Sequence, residues 1–232
     1  MRIRARLEKA GPARYISHLD FLRALERALR RARLPIAYSE GFNPHPRLSF
    51  ASALPLGATS EAEFIDLLLR EDLSATELQH RLNAQLPEGI RVAECREVDE
   101  AADSLAARLE RCTWEVTFLP QVEPAQLQLA LDELSHQRQW IVIKETKKGR
   151  RELDIRQLVY GIELDGRSGS GPVLRLQLAC GSKDNVRPEH FVELLGSFGR
   201  GCPGLAQRVR HIHRQAIWCR DAGGRLTDAW SV

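Results

Sequence analysis

The sequence predicts an α+β fold made of two ferredoxin-like halves, each a β-α-β-β-α-β unit with an antiparallel sheet. Three observations carry this expectation. Strand-length stretches such as Arg2–Glu8 and Thr113–Leu119 alternate apolar and polar residues. Two helical patterns open on a serine with an acidic residue three positions on, Ser17 with Asp20 and Ser74 with Glu77, which is a capping-box spacing. The order strand, helix, strand, strand, helix, strand fills residues 1–98 and starts again in residues 112–232, with a polar, Ala-rich linker or connecting helix over 99–111.

Residues 2–8 place Ile3, Ala5 and Leu7 on one face of a strand. Gly11-Pro12 turns the chain into a helix over 18–33. There Leu22, Leu25 and Leu29 recur at helical spacing with Ala28 and Ala32, while Arg23, Arg27, Arg30, Arg31 and Arg33 fill most other positions. That helix has one apolar and one broad cationic face. It ends before Pro35. A short strand at 34–39 and the loop Glu40–Arg47 follow, then extended residues 47–54, a turn at Pro55-Leu56-Gly57 and a strand over 61–69 whose pattern also fits a helix. A helix over 74–84, a turn at Pro87-Glu88-Gly89 and a strand at Ile90–Val98 close the first half.

The second half reads as a strand at Thr113–Leu119, a helix from Pro124 to 136 with Leu127, Leu131 and Leu134 inward, and a strand at Trp140–Glu145. A basic turn follows at Lys147–Arg151. Residues 155–160 fit neither period, 162–164 are extended, and Gly166–Gly171 form a loop. A strand at Val173–Ala179, a helix from Pro188, a Gly/Pro loop over 199–204 and a final strand at Arg208–Trp218 complete the chain.

The net charge of +3 hides a division. Residues 1–50 hold 11 Lys/Arg against 4 Asp/Glu, residues 51–140 hold 7 against 17, and residues 141–232 hold 16 against 10. A polyanion would have to meet a patch made from both basic ends; solvated helix faces account for the charges equally well. No apolar run approaches membrane-spanning length and no signal-peptide core follows the first strand, so a cytoplasmic protein with no membrane contact is expected. The five cysteines are scattered, without a Cys-x-x-Cys pair, and read as reduced and structural. His211 and His213 have no Cys or acidic neighbour to complete a metal site, and phosphate contact beside Arg208, Arg210 and Arg214 suits them better. No Walker loop, dinucleotide fingerprint or nucleophile elbow occurs, and no metal or cofactor is expected.

Function is sought first in the loop Glu40–Arg47. It holds Gly41, two prolines, Asn43 and His45, has little backbone entropy left to lose, and lies next to the basic helix in sequence. Asn43 and His45, joined by His18 and Asp20 at the helix start, form the candidate polar or catalytic set. Competing structural roles are open for each. Asn43 can bond its own backbone, and Asp20 can cap the helix or pair with Arg47. Tyr38 and Phe42 are core residues or platforms for stacking bases. Arg23, Arg27, Arg30, Arg31, Arg47, Lys147, Lys148, Arg150, Arg151, Arg208 and Arg210 are the candidate RNA contacts.

The stretches Tyr15-Ile16-Ser17-His18-Leu19-Asp20, Glu26-Arg27-Ala28-Leu29-Arg30-Arg31-Ala32 and Ser39–Phe50 resemble a bacterial family encoded beside, or fused to, radical-SAM proteins that also carry a cobalamin-binding domain. Lys144–Gly149 with Asp154-Ile155-Arg156, and Val186–Glu189, are similar to the same family. The resemblance implies a radical-SAM/cobalamin-binding partner and names no reaction. Leu82–Val92 further resembles a stretch of TruA-type tRNA pseudouridine synthases, which implies a pseudouridine-synthase-like layout of two halves with a basic cleft for RNA. Their active loop reads Gly-Arg-Thr-Asp-Ala-Gly-Val-His-Ala. Here Gly41-Phe42-Asn43-Pro44-His45-Pro46 holds that place, with Pro44 where the essential aspartate falls, and this departure argues against pseudouridine synthesis.

Three functions follow. The first is a non-catalytic or accessory RNA-binding protein that presents tRNA or ribosomal RNA to a radical-SAM partner. The second is an enzyme of unrecognised reaction using His18, Asp20, Asn43 and His45, with histidine as acid or base. The third is a protein-interaction module for the radical-SAM subunit, docking through the acidic middle.

Overall fold

The computed structural model describes residues 1–146, 149–166, 171–181, 184–198 and 204–232. The chain is mixed α+β with mostly antiparallel pairing and divides into two compact units, residues 1–110 with 214–232, and residues 111–213.

The first unit contains β1 (Arg2–Lys9), α1 (His18–Arg31), β2 (Leu48–Phe50), β3 (Thr59–Leu68), α2 (Ala75–Asn83), β4 (Ile90–Val98) and a single helical turn, α3 (Leu105–Arg108). The sheet order β4-β1-β3-β2, every neighbour antiparallel, is that of a split β-α-β-β-α-β unit. One face of β1 and β3 presents Ile3, Ala5, Leu7, Ile65 and Leu67 to Phe21, Leu25, Ala28 and Leu29 of α1 and to Leu78 and Leu82 of α2. The alternation and helical spacing of these residues therefore meet in one apolar layer. Ser17 and Ser74 cap α1 and α2 as their spacing predicts, each accepting from the backbone N–H three residues on. Arg81 of α2 closes the other end of α1 by donating to the carbonyls of Ala32 and Arg33.

The second unit starts within β5 (Leu109–Phe118) and ends within β10 (Val209–Arg220). Between them lie α4 (Pro124–Ser135), the hairpin β6 (Ile141–Thr146) and β7 (Gly149–Asp154), β8 (Val159–Asp165), β9 (Val173–Ala179) and α5 (Pro188–Gly196). The order β10-β5-β9-β8 repeats that of the first unit, and β6-β7 is a separate two-stranded sheet. Cys112, Trp114, Val116 and Phe118 of β5, the leucines at 174, 176 and 178 of β9, Leu127 and Leu134 of α4, and Phe191 and Leu195 of α5 are buried.

Several boundaries differ from the sequence reading. The strand expected over 34–39 consists of isolated bridges at Ile36 and Tyr38, because the chain doubles back at once and Tyr38 pairs with Pro46. The linker ends early, with α3 inside it and β5 already begun at Leu109. Gly149–Arg151 belong to β7 instead of a turn, and residues 155–160 divide into a 3-10 turn at Arg156–Leu158 and the start of β8. After β10 a short β11 (Leu226–Asp228) pairs back on it, and the whole segment 214–232 belongs to the first unit. Lys147, Lys148, most of the loop between Gly166 and Gly171 and most of the Gly/Pro loop over 199–204 lie outside the described residues.

Gly89 and Gly57 both occupy the left-handed region, at φ +83° and +86°. A Cβ on Gly89 would stand 2.5 Å from the Ala10 carbonyl oxygen, whereas one on Gly57 would meet nothing within 4 Å. Gly57→Ala is expected to cost about 1 kcal/mol of backbone strain. Gly89→Ala, which must also move the turn at Ala10, is expected to cost at least twice that by urea unfolding. Equal costs would show that the Ala10 turn yields freely.

Candidate nucleic-acid interface

The loop after α1 is a hairpin tip. Ser39 N–H donates to the His45 carbonyl at 2.9 Å, His45 N–H donates to Ser39 Oγ at 3.0 Å, and Arg47 N–H donates to the Ala37 carbonyl at 2.7 Å. Gly41, at φ +114°, makes the reversal. The paired flanks hold residues 40–44 clear of the sheet, and Phe42 is fully exposed. Asn43, His45 and Arg47 are exposed as well. Phe42 is thus no core residue, and Tyr38 at the base of the tip is also exposed.

His18 and Asp20 go elsewhere. Asp20 accepts from Ser17 Oγ at 2.7 Å and from Arg23 at 3.2 Å. The Ser17 bond and then the Arg23 guanidinium hold its carboxyl below the usual carboxylate range. It serves the helix start and Arg23, not Arg47. The His18 ring packs edge-on against Phe50, with centroids 4.9 Å apart. Among the described residues no hydrogen bond joins His18 or Asp20 to Asn43 or His45, so the four candidates fall into two pairs.

The basic face of α1 is present as expected. Arg23, Arg27, Arg30 and Arg31 are exposed. Arg23 pairs with Asp20 and Arg31 donates to the Gln85 carbonyl, while Arg27 and Arg30 make no ion pair among the described residues. Ahead of α1, Tyr15 is exposed with the Arg14 guanidinium 4.9 Å from its ring centroid. In the second unit, Arg150 and Arg151 are exposed on β7, with Arg150 3.5 Å from Glu145. Arg208 is half-buried and Arg210 exposed. The rings of His211 and His213 tilt toward each other at 6.1 Å.

Sequence reasoning missed a buried ionic group behind His18. Lys9, Glu63 and Arg214 are each almost wholly buried. Arg214 Nε donates to Glu63 Oε1 at 3.0 Å and its Nη1 to Ser52 Oγ at 2.6 Å. Lys9 Nζ donates to the Ile16 carbonyl at 3.0 Å and lies 5.6 Å from the Phe21 ring centroid. Burial lowers the Lys9 pKa, with Glu63 opposing and Arg214 adding to the shift. The same three charges act on His18, whose pKa burial also lowers. The signal available was a lysine closing an apolar alternation at the end of β1 and a glutamate inside the apolar run of β3. Glu63 finds its partner only once the segment 214–232 is placed.

The family model described as "Uncharacterized protein conserved in bacteria (DUF2344)" matches residues 2–188. The chain belongs to this bacterial family. No protein among curated sequences matches it. Among solved structures, a chain in the crystal structure of a Cbf5-Nop10-Gar1 complex aligns with a TM-score of 0.47 at 9% identity, over 93% of this DUF2344 chain and 48% of the other. The present chain therefore spans about half the length of that one. Among the described residues, no three His, Cys, Asp or Glu side chains are placed to hold a metal ion, and no helix is long and apolar enough to cross a membrane. Cys112, Cys180 and Cys219 are buried, and burial, then Glu94, pushes the half-buried Cys95 thiol up to about 12; Cys202 lies outside the described residues.

Two outcomes test the ionic group. Glu63→Gln removes the carboxylate between buried Lys9 and Arg214, and is expected to destabilise the protein by about 3–5 kcal/mol in urea unfolding. A change below about 1 kcal/mol would show that these cations have adequate other partners. His18, with its folded pKa lowered from 6.5, favours the neutral ring in the native state. The unfolded chain therefore binds more protons as pH falls through 6.5, and this contribution is intact above 6.5 and lost below it. The fall in Tm between pH 7 and pH 5.5 is expected to be smaller in His18→Phe than in the natural protein; parallel pH curves would assign the dependence elsewhere.

Proposed function

We propose that this protein is an accessory, non-catalytic RNA-binding protein that presents an RNA to a radical-SAM partner. One observation carries the RNA part: a phenyl ring, Phe42, held fully in solvent at the tip of a hydrogen-bonded hairpin. Leaving such a ring in water forgoes about 2 kcal/mol of burial. A base stacked on it recovers that loss, and stacking tolerates any sequence because every base has a flat face. Tyr15 and Tyr38 add exposed rings in the same unit, and Arg27, Arg30 and Arg47 add charge for phosphates. Unpaired RNA bases, as in tRNA or ribosomal RNA loops, are the substrates that such rings accept.

The partner half of the proposal rests on the family resemblance of residues 15–50, with the chemistry assigned to a radical-SAM/cobalamin-binding protein. A role for His18, Asp20, Asn43 and His45 in a reaction is the less favoured reading, since Asp20 is engaged by Ser17 and Arg23.

The test is binding of tRNA and of single-stranded oligoribonucleotides by fluorescence anisotropy across a salt series. Phe42→Ala is expected to weaken binding about tenfold. Arg27→Gln with Arg30→Gln is expected to lower the slope of log affinity against log salt by about 1.4. No RNA bound at physiological salt, with the radical-SAM protein co-purifying, would replace this reading with a protein-interaction module.

A further inference from the structure

The two halves share one strand order, so what the second adds to it stands out. It adds the hairpin β6-β7. Against the start of α5 this hairpin forms an open cavity of about 860 Å³, within the range of small-molecule sites. Ile143, Lys144, Glu145 and Arg150 line it from the hairpin, and Arg187, Glu189, His190 and Glu193 from α5 and the residue before it, so three carboxylates share it with three cations.

The charges in it are unevenly engaged. Arg150 lies 3.5 Å from Glu145, and among the described residues Lys144 Nζ donates only to a neutral group, the Asn185 carbonyl, at 2.7 Å. Arg187 is exposed and has no ion pair among the described residues. Glu189 Oε2 and His190 Nδ1 are buried without a hydrogen-bond partner among those residues. A buried polar atom in that state is uncommon and calls for a partner. Burial, then Arg187, lowers the His190 pKa, which favours its neutral ring. The terminal carboxyl torsion of a glutamate is soft, so Oε2 can turn out of its buried position until both oxygens face the cavity. A ligand that completes this site brings hydrogen-bond donors to a carboxylate and an anion to Arg187 and Lys144.

We propose that this cavity binds a guanine nucleotide, Glu189 accepting from the base edge, Arg187 and Lys144 meeting the phosphate, and the exposed Ile143 side chain lying against the base. Guanine alone among the RNA bases offers two adjacent donors, N1–H and N2–H, on its Watson–Crick edge, which the two carboxylate oxygens match. Adenine and cytosine set a ring-nitrogen acceptor beside their amino group and repel a carboxylate there. Uracil has one donor between two carbonyls. The inference deepens the RNA reading by naming the base of one contact. The nucleotide's source, free or within an RNA chain, is left to the experiment.

Isothermal titration with GMP, AMP, guanosine and inorganic phosphate tests the site, with eight-residue oligo(A) carrying one G or none as the RNA arm. GMP is expected to bind at least tenfold tighter than AMP. Glu189→Gln is expected to bring GMP down to the level of AMP, and Arg187→Ala to weaken GMP about tenfold while leaving guanosine unchanged. Thermal melting of both variants checks that they are folded. Equal affinity for GMP, AMP and phosphate would overturn the proposal in favour of a simple anion site, and no binding at millimolar GMP would overturn it outright. RNA bound without GMP would sink this site and leave the RNA reading standing; GMP bound without RNA would do the reverse.

Discussion

The Glu63–Arg214 ion pair is the constraint on which the first unit depends. Glu63 sits in β3, early in the chain, and Arg214 is the residue at which the C-terminal segment enters that unit. Both are buried, so neither can stand without the other: a buried charge whose partner is removed costs several kcal/mol. The second anchor has the same character. Arg4, fully buried in β1, donates from Nε to Asp66 at 2.8 Å and from Nη1 to the Ala229 carbonyl at 2.6 Å. Trp230 then packs edge-on against Phe64 at 5.1 Å, with the Arg96 guanidinium 4.4 Å from the centroid of the Trp230 ring. Strand β3, and β1 at Arg4, are thereby buried on both faces, with helices on one and the returning segment on the other.

This use of charge changes what the basic first fifty residues mean for a partner. Their surplus cannot be counted as surface charge. Arg4 and Lys9 are internal, and Arg2 pairs with Asp66. The cations left in water concentrate on α1 and at Arg47, and the helix carries them because its opposite face is committed to Leu25, Ala28 and Leu29 in the core. A polyanion would therefore meet one helix and one hairpin of this unit, a narrower surface than the sequence charge suggests. Narrowness favours a flexible single strand, which can bring phosphates to α1 and bases to Phe42 without the fixed spacing of a duplex.

What could be read from the sequence was what local chemistry decides. The serine caps, the inward Leu25 and Leu29 of α1 (Leu22 is only half-buried, with Phe21 in the core instead), the bounds of β4 and the strand at Val173–Ala179 all follow from nearest-neighbour patterns, and so does the repeated element order. The buried ionic group could not be read that way. Arg4 alternates with Ile3 and Ala5, and an arginine at every second position of a strand is the pattern of a solvated face. Only the return of residues 214–232, more than two hundred positions away, makes that face interior. The role of Glu63 is hidden in the same way, its partner Arg214 lying 151 positions on. At the loop site the sequence picked out the Gly/Pro-rich loop, yet it could not decide between a buried and an exposed Phe42. That depends on whether the flanks of the loop pair with each other, as Ser39 and His45 do, or fold back onto the sheet.

The two halves also agree in where they depart from the shared plan. In the first, the connection between the opening helix and the second strand of the repeat, from α1 to β2, is drawn out into the hairpin that carries Phe42. In the second, the equivalent connection, from α4 to β8, is drawn out into β6-β7, which carries Lys144 and Arg150. An excursion there leaves the four-stranded order intact, since β2 and β8 are the last strands of their orders and each pairs across only β3 or β9 within the repeat. It is the connection at which a repeat of this kind can gain a long hairpin without breaking a ladder. Each half has placed a hairpin there that spends exposed apolar surface and cationic side chains on solvent, Phe42 with Arg47 in one and Ile143 with Arg150 in the other. Exposed apolar and cationic groups on a stiff hairpin lower the stability of an isolated protein and gain their return on binding. The same location thus carries the same combination in both halves, with no residue pattern in common.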